Sequence, residues 1–308
     1  MAVVTTGFFD GVHLGHRHVL ETVVSSARER GEEATVVTFW PHPRTVLQQD
    51  ARDLRLLSTL EEKRALLAAC GIDRVEVLPF TREFAAMTAA DYLQLLADKY
   101  GATQVVMGYD NRIGSDMKTA SEICAPSAVA SRPLPCVPLR ALWAPPSYAA
   151  EGGHGPREHI SQRPISSTQI RKSLAIGDVE AANSMLGYRY GLDGVVVAGN
   201  RMGRTIGFPT ANMQLYEPLK MVPGNGVYEV EVQVFGSMFK GMCNIGVRPT
   251  VDGKARTIET HILDFDQDIY GLPIGLKFVR RIRDERKFDS VQQLREQLLL
   301  DKKQIENN

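Results

Sequence analysis

Two stretches of this chain combine residue types that handle phosphate: Gly7-Phe8-Phe9-Asp10-Gly11-Val12-His13-Leu14-Gly15-His16, and Gly203-Arg204-Thr205-Ile206-Gly207-Phe208-Pro209-Thr210-Ala211-Asn212. In the first, His13 and His16 flank Gly15 where a strand is expected to turn into a helix. Free N–H groups and the helix dipole favour an anion at such a turn. Gly15 lets a nucleotide approach the backbone, and imidazoles can donate hydrogen bonds to phosphate oxygens as charge develops. A bare H-x-G-H is unspecific, because solvated loop histidines give it too; its place after the first strand, beside Asp10, makes it informative. A metal set of His13, His16, His18 and His42 is the other reading, but no carboxylate spacing accompanies it.

In the second stretch Gly199, Gly203 and Gly207 are spaced four apart after an apolar run at 195–197. This is neither a P-loop nor a dinucleotide fingerprint. Such glycines can still expose amides to phosphate, while Thr210 and Asn212 offer hard oxygens suited to Mg²⁺; in an all-β region they are also common as plain turns. Glu259 interrupts the strand-like run 257–261, either as general base for a substrate hydroxyl or as an outward-facing residue. Over 165–171, Ser166, Ser167 and Thr168 have the hydroxyls of a helix start, and Arg171 one turn later can clamp a phosphate. An ordinary N-cap followed by a surface arginine reads the same.

The elements that must position these residues fall into two patterns. Up to about residue 110, strand and helix signals alternate: strands at 2–6, 34–39, 75–78 and 105–107, and a helix at 17–30 with Val19, Leu20, Val23, Val24 and Ala27 on one face. Thr59 with Glu62 has capping-box spacing for a helix closed by Gly71, and Thr88 with Asp91 opens another closed by Gly101. This order predicts a parallel, doubly wound α/β sheet whose site lies beyond the carboxyl ends of its strands. From about Asp193 the period becomes two. Runs at 194–198, 227–235, 239–245, 257–263 and 274–282 predict a small antiparallel barrel, and Ser290 with Gln293 caps a final helix. The change of pattern places two domains at 1–187 and 188–308.

Composition agrees with two ordinary cores in 308 residues. With 36 basic and 36 acidic residues the net charge is zero, so anion binding must be local. No apolar run reaches the roughly 18 residues of a membrane span, and the chain is expected to be soluble and cytoplasmic. Cys70, Cys124, Cys136 and Cys243 lack C-x-x-C spacing and are expected to be thiols rather than zinc ligands or a disulfide framework.

These stretches, together with 38–43 (Thr38-Phe39-Trp40-Pro41-His42-Pro43), 244–250 (Asn244-Ile245-Gly246-Val247-Arg248-Pro249-Thr250), 268–271 and 283–288, resemble in type and order the motifs of the bacterial bifunctional riboflavin kinase/FMN adenylyltransferase (FAD synthetase) family. The resemblance implies a nucleotidyltransferase-type Rossmann-like first domain that joins AMP from ATP to FMN and releases pyrophosphate. It implies His13 and His16 as catalytic, and Gly7, Phe8, Asp10, Gly15, Ser166, Thr168 and Arg171 as nucleotide-binding. In the barrel, the implied riboflavin kinase, Gly199, Gly203, Arg204, Gly207, Thr210 and Asn212 would hold ATP, the last two with Mg²⁺. Glu259 would be the base, and Asp110, Arg283 and Glu285 would contact flavin. Small-molecule partners are then riboflavin, FMN and ATP, with no nucleic acid or membrane. A different adenylyltransferase, such as one acting on pantetheine phosphate, would share H-x-G-H but leave the C-terminal half unexplained.

Departures raise an alternative: a working kinase joined to a first domain that only binds flavin or is structural. The family's flavin-side motif has aromatics where this chain reads Gly108-Tyr109-Asp110-Asn111-Arg112-Ile113-Gly114. Residues 115–160 carry no visible helical or alternating period, and eight of the chain's 16 prolines fall between Pro126 and Pro164. Either a natural insertion or translation out of frame from about Ser115 to about Ile165 would give this composition. An insertion should leave the helix and strand of a βαβ rhythm beside it, whereas translation out of frame predicts that the stretch lacks them and is poorly packed.

Overall fold

The computed structural model describes residues 1–47, 53–108, 111–124, 134–138, 165–199, 202–250 and 253–307. It divides into two compact units, Met1–Ser167 and Thr168–Asn308.

The first unit runs β1 (Ala2–Thr6), α1 (Leu14–Arg30), β2 (Glu33–Trp40), α2 (Pro43–Leu47), α3 (Leu60–Ala69), β3 (Arg74–Pro79), α4 (Arg82–Ala85), α5 (Ala89–Tyr100), β4 (Ala102–Met107), β5 (Arg112–Ile113), β6 (Lys118–Thr119), α6 (Ala120–Cys124) and β7 (Cys136–Pro138). Five strands form a parallel sheet in the order β3-β2-β1-β4-β7. Successive side chains on a strand face opposite ways. Val3, Val36 and Val106 therefore pack with Leu20 and Val23 of α1 and Leu67 of α3, whereas Val4, Val37 and Val105 pack with Tyr92 and Leu96 of α5. Covered on both faces, β1 is buried at all five positions, its two threonines included. The capping box of Thr59 and Glu62 is formed, Thr88 caps α5, and Gly101 ends α5 in the left-handed region. Since β1 lies between β2 and β4, the turn leaving its carboxyl end sits at the middle of the sheet.

Order continues past Ser115 at 116–124 and 134–138, which corrects the out-of-frame reading for these residues. The Ser115 N–H donates to the Met87 carbonyl, Asp116 accepts from the Ala89 N–H at 2.9 Å, and Asn111 Nδ2 donates to the Thr6 carbonyl at 2.6 Å. Ile113 and Ala120 are buried in the core. The helix and strand supposed missing are present as α6 and β7. With five and three residues they are too short to show a period, and side-chain bonds to distant backbone groups leave no periodic trace. Asp110 and Tyr109 lie outside the described residues, as do 125–133 and 139–164. Cys70 and Cys243 are free thiols, but Cys136 is disulfide-bonded, contrary to the reading of four thiols: spacing rules judge local motifs and not pairs that the fold assembles.

The second unit contains the rest of α7 (Ser167–Ile176), then α8 (Val179–Leu186), β8 (Gly191–Val197), α9 (Met202–Thr205), β9 (Ala211–Leu215), β10 (Gly226–Val234), β11 (Ser237–Thr250), β12 (Gly253–Ile262), β13 (Pro273–Arg283) and α10 (Val291–Glu306). Six strands close a barrel in the order β10-β11-β12-β9-β8-β13, all paired antiparallel. The alternation read from the sequence faces Tyr228, Val230, Val232 and Val234 into the core. Strand β9, with only five residues after a glycine-rich loop, was not anticipated. Ser290 caps α10, whose Ile305 packs with Phe208, Val227 and Met242. Among the described residues no helix is long and apolar enough to cross a membrane.

Candidate functional site

In the first unit the turn from β1 to α1 is held from three sides. The Gly7 N–H donates to the Val37 carbonyl, Thr38 donates to the Phe8 carbonyl, and the Gly11 N–H donates to Ser58 Oγ. Asp10 is buried, and its carboxylate accepts from the Leu57 and Ser58 N–H groups at 2.9 and 3.1 Å and from Ser58 Oγ at 3.4 Å. These contacts make Asp10 a brace of the loop. The loop also holds two non-glycine residues in the left-handed region, Phe9 (φ 51°) and Val12 (φ 37°), next to Gly11 (φ 77°). Such residues cost on the order of 1–3 kcal/mol each and persist where surroundings over-determine them; both side chains are buried.

His13 is the N-cap of α1, and its Nδ1 accepts from the His16 N–H at 3.3 Å. This leaves Nε2 as the donor of a neutral His13 ring. The two rings stack with centroids 3.6 Å apart and 14° between planes. Burial, the adjacent His13 and then the Lys63 ammonium hold the His16 pKa well below the usual 6.5, so this imidazole is neutral at neutral pH. Its Nδ1 has no hydrogen-bond partner among the described residues. A Cβ at residue 15 would meet the His13 ring at 3.2 Å and the Ile165 carbonyl at 3.4 Å, so glycine there preserves the stack. Ser167 Oγ donates to the Asp10 carbonyl at 3.0 Å and ties the start of α7 to the loop. Ser166 belongs to this unit, while Thr168 and Arg171 fall in the second.

The barrel assembles its polar residues by register. Asn212 on β9 is opposite Glu259 on β12, Glu259 is opposite Asn244 on β11, Asn244 is opposite Val227 on β10, and Val227 is opposite Arg283 on β13. Residues directly opposite share one face with Cβ atoms about 4.5–5.5 Å apart. One row across five strands thus carries Asn212, Glu259, Asn244 and Arg283. Gly199 lies against this row, since a Cβ there would come 2.2 Å from Asn212 Nδ2; Gly203 is crowded equally by the Phe208 carbonyl, at 2.2 Å. Gly207 supplies a left-handed turn at φ 82°. Beside the loop is a cavity of about 410 Å³ lined by Arg204, Thr210, Thr260, Phe265, Asp268 and Tyr270, among others.

Arg283 is engaged. Its Nε and Nη2 donate to the fully buried Asp301 of α10 at 2.9 and 2.8 Å, and its Nη1 donates to the Asp284 carbonyl at 3.0 Å. It ties α10 to β13. Glu285 accepts from Asn225 Nδ2 and lies over Gly246, where a Cβ would meet its Oε1.

Three contributors had no role in the sequence reading. His261 Nδ1 contacts the Pro209 carbonyl at 2.8 Å and its ring meets Phe208 edge-on, fixing the backbone just before Thr210. Burial lowers its pKa, a shift opposed by the hydrogen bond to Pro209. Asn244 enters the row through register alone. Lys63 of α3 is wholly buried under the Phe8 ring; the signal for it was a lysine four residues before the core residue Leu67, on the apolar face of its helix.

Comparison with known proteins matches residues 1–130 to a FAD synthetase family model and residues 186–308 to a riboflavin kinase model. A bifunctional riboflavin kinase/FMN adenylyltransferase of Bacillus subtilis (strain 168) is 34% identical over 98% of this chain and 91% of its own length. The one from Escherichia coli (strain K12) is 35% identical over 97% and 90%. A solved structure described as a macrolide-efflux protein from Streptococcus pneumoniae superposes with a TM-score of 0.86, at 33% identity, over 100% of this chain and 94% of that one. The FAD synthetase match runs beyond Ser115, in keeping with the ordered segment 111–124. Because both models match in the order of the two sites, and full-length relatives carry both, the chain belongs to the bifunctional riboflavin kinase/FMN adenylyltransferase family.

Proposed function

We propose that the barrel phosphorylates riboflavin to FMN with ATP, and that the first unit transfers AMP from a second ATP to FMN, releasing pyrophosphate and yielding FAD. The functional boundary is placed near residue 187, with α7 and α8 belonging to the adenylyltransferase. The observation that carries the reading is the presence of two phosphate-handling sites of different construction on one chain: the stacked His13–His16 pair at a helix start, and a glycine-rich loop whose Arg204 and Thr210 line a cavity, next to strands that pair Asn212 with Glu259.

In the kinase, Glu259 accepts the proton of the ribityl hydroxyl as its oxygen attacks the γ-phosphorus. Arg204 and the amides of the Gly199, Gly203 and Gly207 loop hold the phosphates, and the neighbouring cavity receives the rest of the nucleotide. Thr210 and Asn212 suit Mg²⁺, which supplies charge neutralisation when bound. Arg283 acts on the flavin side through α10, which it anchors, and Glu285 contributes beside it.

In the adenylyltransferase, an FMN phosphate oxygen attacks the α-phosphorus. His13 and His16 donate hydrogen bonds to the transferring group, with their orientation fixed by stacking and the N-cap. Asp10 braces the loop; Gly7, Phe8 and Gly15 shape it; Ser166, Thr168 and Arg171 take the phosphates, and Asp110 the flavin. The enzyme works on small molecules in the cytoplasm. Incubating purified protein with riboflavin, ATP and Mg²⁺ and separating the flavins tests this: FMN should appear first and then FAD, and absence of either removes the corresponding half.

A further inference from the structure

Lys63 is a group the reaction as described does not use. Its side chain has no exposed surface, and its Nζ has no hydrogen-bond partner among the described residues. The ammonium sits 3.5 Å from the Phe8 ring centroid, on the inner side of the phosphate loop. A buried, unpaired charge is expensive and is normally removed or paired unless something else offsets it. The charged groups that face it are few. Asp10 favours its protonated form, but that carboxylate already accepts three hydrogen bonds from Leu57 and Ser58. On the other side His16 is held neutral partly by Lys63 itself, with His13 stacked beyond it. The loop thus carries one fixed cation and two imidazoles, and its missing partner is an anion.

We propose that Lys63 charges the phosphate loop: held under Phe8 without a bonded counter-ion, it supplies the positive potential against which the pyrophosphate leaving group of ATP develops its charge. This rests on the adenylyltransferase reading of the first unit. As the bond from the FMN phosphate oxygen to the α-phosphorus forms, the bond from that phosphorus to the bridging oxygen breaks, and its electron pair leaves with pyrophosphate. Lys63 transfers no proton and touches no reacting atom; it is a positioning residue acting through the field in a low-dielectric pocket. Burial depresses its pKa to about 8, so it is mainly charged at neutral pH and loses charge above that value.

The test compares the full-length parent with Lys63→Met and Lys63→Arg. Lys63→Met should lower kcat/KM for FAD formation from FMN and ATP about 100-fold. It should raise the KM for pyrophosphate in the reverse reaction, and weaken the rise in thermal midpoint that pyrophosphate gives the parent. It should also raise the His16 pKa in an NMR titration, a change that a purely structural role would not produce. Without ligand its thermal midpoint should be unchanged or higher, since no bonded partner is lost. Lys63→Arg should recover at least a tenth of the parent rate and extend activity to higher pH. FAD formation by Lys63→Met within threefold of the parent, or an unmoved His16 titration, overturns the proposal. A parent that makes FMN but no FAD overturns the underlying reading instead.

Discussion

Gly7 to His16 packs a phosphate site into one loop, whereas Asn212, Glu259, Asn244 and Arg283 come from four strands and meet only through register. Their charges differ as well. At the loop, Lys63 of α3 and His16 are buried with nitrogens that have no hydrogen-bond partner among the described residues, while in the barrel Arg283 is matched by Asp301, and Arg280 by Glu229 at 2.7 Å. A site whose charge is left open is built for an anion that arrives. A site whose structural cations are neutralised leaves its catalytic carboxylate to act on a proton. The comparison teaches that the two phosphoryl chemistries on this chain use different sources of electrostatic stabilisation, and mutations should separate them.

The sharpest way to break the comparison is at Glu259. Glu259→Gln preserves shape and register but cannot accept a proton, so FMN formation should fall by about 10²–10⁴-fold. FAD formation from supplied FMN should be unaffected. Flavin chromatography with riboflavin or FMN as substrate reads both, and near-parent FMN output would remove Glu259 from the role of base. Next in size is His16→Ala, which deletes one donor to the transferring group. FAD formation should drop about 10²–10³-fold, with kinase activity retained. Equal loss in both assays would mean that the histidine serves the fold rather than the loop.

How much of this was readable in advance follows the same division. The phosphate loop, the strands beside it and the caps at Thr59, Thr88 and Ser290 were legible because each is a local pattern with a local cause. The row in the barrel was not, since register depends on turns and pairings that no short window contains. Glu259 could be singled out as a carboxylate in a strand-like run, but that Asn244 and Arg283 share its row could not. Residues 115–124 were misjudged for a related reason: Asn111 and Asp116, on either side of Ser115, bond singly to Thr6 and Ala89, far away in sequence. Lys63 was legible only as a violation of its helix's apolar face.

A smaller effect tests the metal side of the barrel. Thr210→Ala and Asn212→Ala each remove a hard oxygen from a site with few protein ligands, so each should raise the Mg²⁺ concentration for half-maximal kinase activity several-fold. The Mg²⁺ dependence of FAD formation should not move. If neither variant alters the kinase titration, Thr210 and Asn212 shape the loop without serving the ion.

The smallest expected effect is on stability, and it follows from the difference in charge. His16 has a folded pKa well below 6.5, chiefly through burial, so between those two values the unfolded chain binds a proton that the folded first unit does not. The unit therefore keeps its full stability above 6.5 and loses it as pH falls below that value. One pH unit below, the loss is about 1.4 kcal/mol, equivalent to roughly 3–5 °C in a unit of this size. His261 in the barrel shifts in the same direction, but its bond to the Pro209 carbonyl opposes burial, so its contribution should be smaller. Calorimetry from about pH 7.5 to about pH 5.5, with the upper and lower transitions assigned by unit-specific hydrogen exchange, should show the first unit losing more. A barrel that loses as much or more would mean that the phosphate loop is not the electrostatically strained part of the molecule, and would weaken the case for Lys63 as well.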